Sequence, residues 1–106
     1  MVNFKTIEDF RDRVVQVYRP LKIVLFGSYA QGAVTEDSDV DILVILPFEG
    51  KNAQKSAEIL TRVDPRFPID LLVRTPEQVR DRLEKGDFFM KEILETGKVL
   101  YETTHN

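Results

Sequence analysis

Two apolar runs, Leu21 to Phe26 and Ile42 to Leu46, are joined by a stretch that begins Gly27-Ser28 and ends Asp39-Val40-Asp41. No other feature constrains the fold of this chain so tightly. Both runs carry the β-branched and aromatic residues of buried strands. Side chains two apart on a strand share a face, about 7 Å from each other along the backbone. Asp39 and Asp41 therefore project together, and Val40 and Ile42 point the opposite way. Ten residues separate Ser28 from Asp39, enough to bring the chain back and lay the second strand beside the first. A glycine turn and two carboxylates then stand at one end of a sheet.

Each part has a chemical use. A glycine directly after a strand lets the backbone approach a phosphate closely, with amide hydrogens aimed at its oxygens. The Ser28 hydroxyl can donate one more hydrogen bond, and a helical turn over Ser28 to Gln31 would add positive dipole. Two carboxylates converging at a strand end bind a hard dication well and repel each other without one. Asp70, set in the apolar run Phe67 to Val73, is the natural third acid if its strand lies beside that of Asp41. Two magnesium ions roughly 3.5 to 4 Å apart could then serve both attacking and leaving oxygens in a phosphoryl or nucleotidyl transfer. Singly, these residues have ordinary explanations: Gly27 as a turn, Ser28 as a helix cap, Asp39 and Asp41 as a solvated strand end. Their joint spacing between two strands is what singles them out.

The remaining sequence alternates helix and strand. Thr6, with Glu8 and Asp9 following, reads as a helix start, and Ile7, Phe10, Val14 and Val17 form one apolar stripe that Pro20 closes. Lys51 to Val63 reads as a helix with Ala53, Ala57, Leu60 and Ile59 inward. Thr75-Pro76-Glu77-Gln78 combines a capping threonine, proline at the first helical position and glutamine three residues after the cap. Asp87 caps a further helix, Gly97 terminates it, and Val99 to Tyr101 forms a last edge strand. Residues 102–106 read as a fraying end, so His105 receives no catalytic role. Three large apolar residues in a row, Phe88-Phe89-Met90, cannot all face inward, and a partner surface is an alternative to core packing there. The expected class is α/β (α+β), a mixed β-sheet flanked by helices, in a single domain over residues 1–106.

Composition narrows the function. Of 106 residues, 42% are apolar and 31% charged, with a net charge of -3 and no cysteine. That describes one globular domain without disulfides or thiolate metal sites. The acidic balance argues against direct nucleic-acid binding, which needs a basic face. No apolar run reaches the roughly 18 residues of a membrane span, and the amino terminus lacks a signal-peptide pattern. A cytoplasmic protein is expected.

Gly27-Ser28, ten residues, then Asp39-x-Asp41, flanked by Ala30, Gly32, Ser38 and Ile42-Leu43-Val44, resembles the signature of the DNA polymerase β-like nucleotidyltransferase superfamily. The match is to its small members, the minimal nucleotidyltransferases usually encoded beside a helical HEPN partner. It covers nearly the whole chain, since Leu94 to Tyr101 is similar to that group's usual ending. The resemblance implies that Gly27 and Ser28 bind the triphosphate of ATP or another NTP. It implies that Asp39 and Asp41 bind Mg2+, and that Asp70 is general base or a further metal ligand. Gln31 stands where arginine is common; it can hydrogen-bond a phosphate but cannot neutralise it.

The implied activity is magnesium-dependent transfer of AMP from ATP to a hydroxyl, on a tyrosine of a HEPN-type toxin, with this chain as antitoxin. A second reading is a catalytically weak or inactive antitoxin that masks its partner by contact. A third is an enzyme acting on a small molecule, with a homodimer forming the acceptor pocket.

Overall fold

The computed structural model describes residues 1–103, so His105 lies outside the described residues. In chain order the elements are α1 (Phe4–Tyr18), β1 (Lys22–Phe26), α2 (Ser28–Gln31), β2 (Val40–Ile45), α3 (Asn52–Val63), β3 (Ile69–Arg74), α4 (Pro76–Glu84), α5 (Phe88–Thr96) and β4 (Lys98–Glu102). The strands form one mixed sheet in the order β3-β2-β1-β4. β1 runs antiparallel to both β2 and β4, while β2 and β3 are parallel and joined through α3.

Both faces of the sheet are covered, and this explains the unbroken apolar runs of β1 and β2. Ile23, Leu25, Val40, Ile42, Val44, Leu71 and Val73 face one side, packing with Ile7, Phe10 and Val14 of α1 and Ile59 and Val63 of α3. Val24, Phe26, Leu43 and Ile45 face the other, against Val79 of α4 and Met90 and Ile93 of α5. Alternate residues of one strand thus belong to different cores. Phe10 is fully buried and meets Phe67 edge to face at 5.9 Å.

Several helix ends differ from the sequence reading. Helix α1 is capped by Asn3, whose side chain accepts from the Thr6 amide, so the first turn precedes Thr6. In α3 Ile59 and Val63 are buried and Leu60 packs half-buried against the core, with Ser56 donating to the Leu71 carbonyl at 3.0 Å, while Ala53 and Ala57, expected inward, are exposed. Two helical stripes were available there. Burying isoleucine and valine removes far more apolar area from water than burying two alanines, and the helix is turned accordingly. The Thr75 capping box on α4 forms in full, with both reciprocal hydrogen bonds present.

Gly97 ends α5 as expected, for a different reason. Its φ of -72° is one that any residue adopts, so no left-handed turn demands glycine. An added Cβ would instead overlap the Ile93 carbonyl oxygen and lie 2.6 Å from Val24 Cγ1 and 2.9 Å from the Leu25 carbonyl oxygen. The end of α5 thus presses directly on β1. Gly86 is the converse case, with φ +78° and open space where its Cβ would be. Gly97→Ala should therefore cost about 1 to 3 kcal/mol through overpacking, against about 1 kcal/mol for Gly86→Ala from its backbone angle. Thermal or urea unfolding of the two variants checks the order. Equal or reversed losses would mean that the close approach of α5 to β1 is absent.

Candidate active site

Three strand ends meet at one edge of the sheet. Phe26, the last residue of β1, pairs with Asp41 across the antiparallel ladder, and Asp41 pairs with Asp70 across the parallel one. Register partners project to the same face. The neighbours on each strand agree, because Leu43 and Leu72, two residues on, both belong to the core under α4 and α5. Asp41 and Asp70 therefore project to that side. Asp41 is half-buried, and Asp39 and Asp70 are exposed.

Gly27 follows β1 directly, with φ 73° and ψ -152°, angles essentially reserved for glycine. Space enforces the same choice. A Cβ on Gly27 would overlap Asp41 Oδ2 and lie 3.1 Å from Asp41 Cγ. The carboxylate thus rests against bare backbone. Ser28 opens α2, where the amides of Ala30 and Gln31 both donate to the Gly27 carbonyl at 3.1 and 3.0 Å. Tyr29 has a packing role: its ring lies against the core and its hydroxyl accepts from the Val2 amide at 3.0 Å.

The segment between α2 and β2 is built rather than slack. The Thr35 amide donates to Ser38 Oγ at 2.9 Å, and the Ser38 amide donates back to the Thr35 carbonyl at 3.1 Å. This reciprocal turn delivers Asp39 to the mouth of the site, one residue before β2.

Charge is the distinctive property of the site. The Asp41 carboxyl is pushed above the ordinary aspartate range, first by burial, then by the negative charges of Asp70 and of Asp39. All three acids are thus electrostatic neighbours. They do not form a closed cage, because among the described residues no three acidic or histidine side chains are gathered to hold a metal ion. Magnesium does not require a cage, since it is commonly held by one or two carboxylates together with substrate phosphates and water. A hard oxygen donor set with like charges in excess fits such an ion.

Beside Asp41 lies a cavity of about 360 Å³ lined by Phe26, Gly27, Gln31, Asp41, Phe89, Glu92, Ile93 and Thr96. Three of the predicted residues, Gly27, Gln31 and Asp41, thus line it. Ser28, Asp39 and Asp70 stand outside this cavity. The contribution of α5 was missed from the sequence. Met90 is 4% exposed and packs in the core, Phe88 is 84% exposed, and Phe89, at 55%, stands at the cavity wall. The only signal was the improbability of three consecutive apolar residues all facing inward.

A turn that admits only glycine, beside carboxylates paired across parallel strands, is the arrangement expected of enzymes that handle nucleotides. Residues 7–103 match the family model for the nucleotidyltransferase domain, and the chain belongs to that family. Over 101 residues it is 32% identical to a Methanocaldococcus jannaschii protein named "putative protein adenylyltransferase", covering 92% of this chain and 96% of that one. A solved nucleotidyltransferase-type structure from Sulfolobus solfataricus superposes with a TM-score of 0.65 at 20% identity, covering 92% of this chain and 78% of that one. A toxin–antitoxin complex with AMP-PNP gives 0.57 at 21%, covering 92% and 74%. The two structural likenesses are of fold.

The raised Asp41 pKa has a sign that can be checked. A folded-state pKa above the unfolded value favours the fold at low pH, and that advantage is lost as pH rises through the folded value. At neutral pH the ionised Asp41 therefore weighs against the metal-free fold. Asp41→Asn should hold or raise the melting temperature of the metal-free protein at pH 7, with the gain shrinking as pH falls toward 3.8, the ordinary aspartate value. A clear loss of stability at pH 7 would show that Asp41 supports the fold instead of the site.

Proposed function

We propose that this nucleotidyltransferase transfers AMP from ATP to a tyrosine hydroxyl of a HEPN-type toxin, in the cytoplasm, and so acts as its antitoxin. The observation that carries the reading is the side-by-side register of Asp41 and Asp70 next to the Gly27 turn. The adenylyltransferase name of the M. jannaschii relative and the toxin–antitoxin complexes among the fold neighbours point to this acceptor class.

Each residue then has one task. The Gly27-Ser28 turn offers the Ser28 and Tyr29 amides and the Ser28 hydroxyl to the β- and γ-phosphates, and the missing Gly27 side chain lets them lie against Asp41. Asp39, Asp41 and Asp70 form the carboxylate side of the site and would hold Mg2+, two ions by the family resemblance. When bound, the metal supplies charge neutralisation of the phosphates and polarisation of the reacting oxygens. Asp70, exposed at the sheet edge, is placed to take the proton of an acceptor hydroxyl arriving from solvent. The acceptor oxygen bonds to the α-phosphorus as the bond to the bridging oxygen breaks, and pyrophosphate leaves with that electron pair. The accepted proton passes to Asp70 and then to water. In this reading the partner brings the acceptor to the exposed Asp70 edge.

A contact-only antitoxin remains a second reading, favoured by one observation. Gln31 faces the cavity, and none of the described residues lining it is cationic, so a neutral amide stands where a positive charge would assist a leaving pyrophosphate. Incubation with α-phosphate-labelled ATP, Mg2+ and the toxin separates the two. Label is expected on a toxin tyrosine, and Asp41→Asn should lower the rate at least about 100-fold, a loss typical of removing a charged group from a transfer site. Unlabelled toxin that is nonetheless neutralised, by the wild type and by the Asp39→Asn, Asp41→Asn double variant alike, would establish masking. In the enzymatic case Gln31→Arg should raise transfer several-fold, read as kcat/KM for ATP.

A further inference from the structure

The cavity beside Asp41 carries two acids and no base. Its wall consists of the Phe26 and Phe89 rings, Ile93, the Gly27 backbone, and the polar side chains of Gln31, Asp41, Glu92 and Thr96. Its Gly27, Gln31 and Asp41 side adjoins the phosphates and their counter-ion, whereas a phosphate on the α5 side would meet the like charge of Glu92 and no cation among the described residues. The part of an NTP that suits such a wall is its uncharged part, with flat apolar faces and hydrogen-bond donors on its rim. The Gly27-Ser28 turn and Asp41 fix where the phosphates go, and the nucleoside hangs from the α-phosphate by a single ester oxygen. A nucleotide so held has the cavity directly beside its sugar. At about 360 Å³, the space lies within the usual range for small-ligand sites.

Phe89 is fashioned for a base. Its ring stands edge to face with Phe26 at 5.9 Å and 83°, which fixes its orientation, yet it is 55% exposed. A large apolar side chain held rigid and left half in water, at the wall of a cavity, is a stacking platform without its partner. Glu92 is one helical turn from Phe89 on α5 and lines the same space. Ionised, it can only accept hydrogen bonds, so it selects the O–H and N–H donors of a nucleoside and repels phosphate.

We propose that the α5 cavity is the nucleoside subsite, in which Phe89 stacks on the base and Glu92 accepts from the nucleoside's hydroxyl or amino donors. The proposal rests on the nucleotidyl-transfer reading of the site and adds residues that no part of the Gly-Ser and Asp-x-Asp pattern contains. It also assigns α5 the choice of nucleotide and leaves the phosphates to α2.

The chain has no tryptophan, so Phe89→Trp places a single indole at the cavity wall. Its emission should be quenched by ATP with Mg2+ and left unchanged by inorganic tripolyphosphate with Mg2+. In calorimetric titrations Phe89→Ala should weaken ATP roughly ten-fold, the usual effect of removing one base-stacking ring. Glu92→Gln should weaken it about five-fold, and both should bind tripolyphosphate as the wild type does. Melting curves recorded alongside separate lost binding from lost folding. Wild-type ATP affinity in Phe89→Ala and Glu92→Gln, or an indole signal with tripolyphosphate equal to that with ATP, would overturn the subsite. So would unchanged ATP affinity with slower transfer, which would make the cavity the acceptor's. A wild type that binds neither ATP nor tripolyphosphate would sink the transfer reading itself and the subsite with it, a result distinct from the others.

Discussion

The parallel pairing of β2 with β3 in one register is the constraint on which the active end of the molecule depends. Asp41 lies opposite Asp70 because Val40 lies opposite Ile69 and Val44 opposite Val73. A slip of one residue would turn Asp70 toward α1 and α3 and bring an aliphatic side chain to the site. Burial prevents the slip. Val40, Ile42, Val44, Leu71 and Val73 all lie in the core beneath α1 and α3, and a shifted β3 would expose its half of that set. The position of an acid at the surface is thus specified by hydrocarbon on the opposite face of the same strand.

Within that frame the site is held in an unfavourable electrostatic state. Asp41 is pressed between burial and two like charges, while the adjoining cavity offers no cation to relieve them. An anionic substrate can approach such a surface only if counter-charge arrives with it. Stability stored in the two apolar cores offsets the crowding of acids, as expected where a fold keeps a site ready for a metal-bearing ligand.

Much of this was written in the sequence, and the limits are physical. The strands of Gly27, Asp41 and Asp70 could be read because their residues alternate between two buried faces and end at glycine or a polar loop. The α4 start could be read because Thr75, Pro76 and Gln78 act locally, without help from the rest of the fold. Helix α3 could not be oriented, because Ala53–Ala57 and Ser56–Ile59–Val63 are both proper helical stripes, and only the sheet decides between them. The role of Gly97 was hidden for a similar reason: its neighbours Val24 and Leu25 are remote in sequence. The α5 side of the site was the least legible, since periodicity tells which face of a helix turns inward and nothing about a cavity at that face's border.

That border explains how so short a chain divides its labour. Met90 and Ile93 anchor α5 to β1 and β2, while Phe89 and Glu92, on the flank of the same helix, face open space beside Asp41. At its carboxyl end, Gly97 lets the helix sit directly against β1. Helix α5 therefore stands across the cavity from the glycine turn, with Asp41 between them and the sheet as common base. Cavity, glycine turn and Asp41 thus share one end of a single sheet. The Asp70 edge is left open to solvent, so under the proposed transfer the molecule that covers that edge would set which hydroxyl is presented.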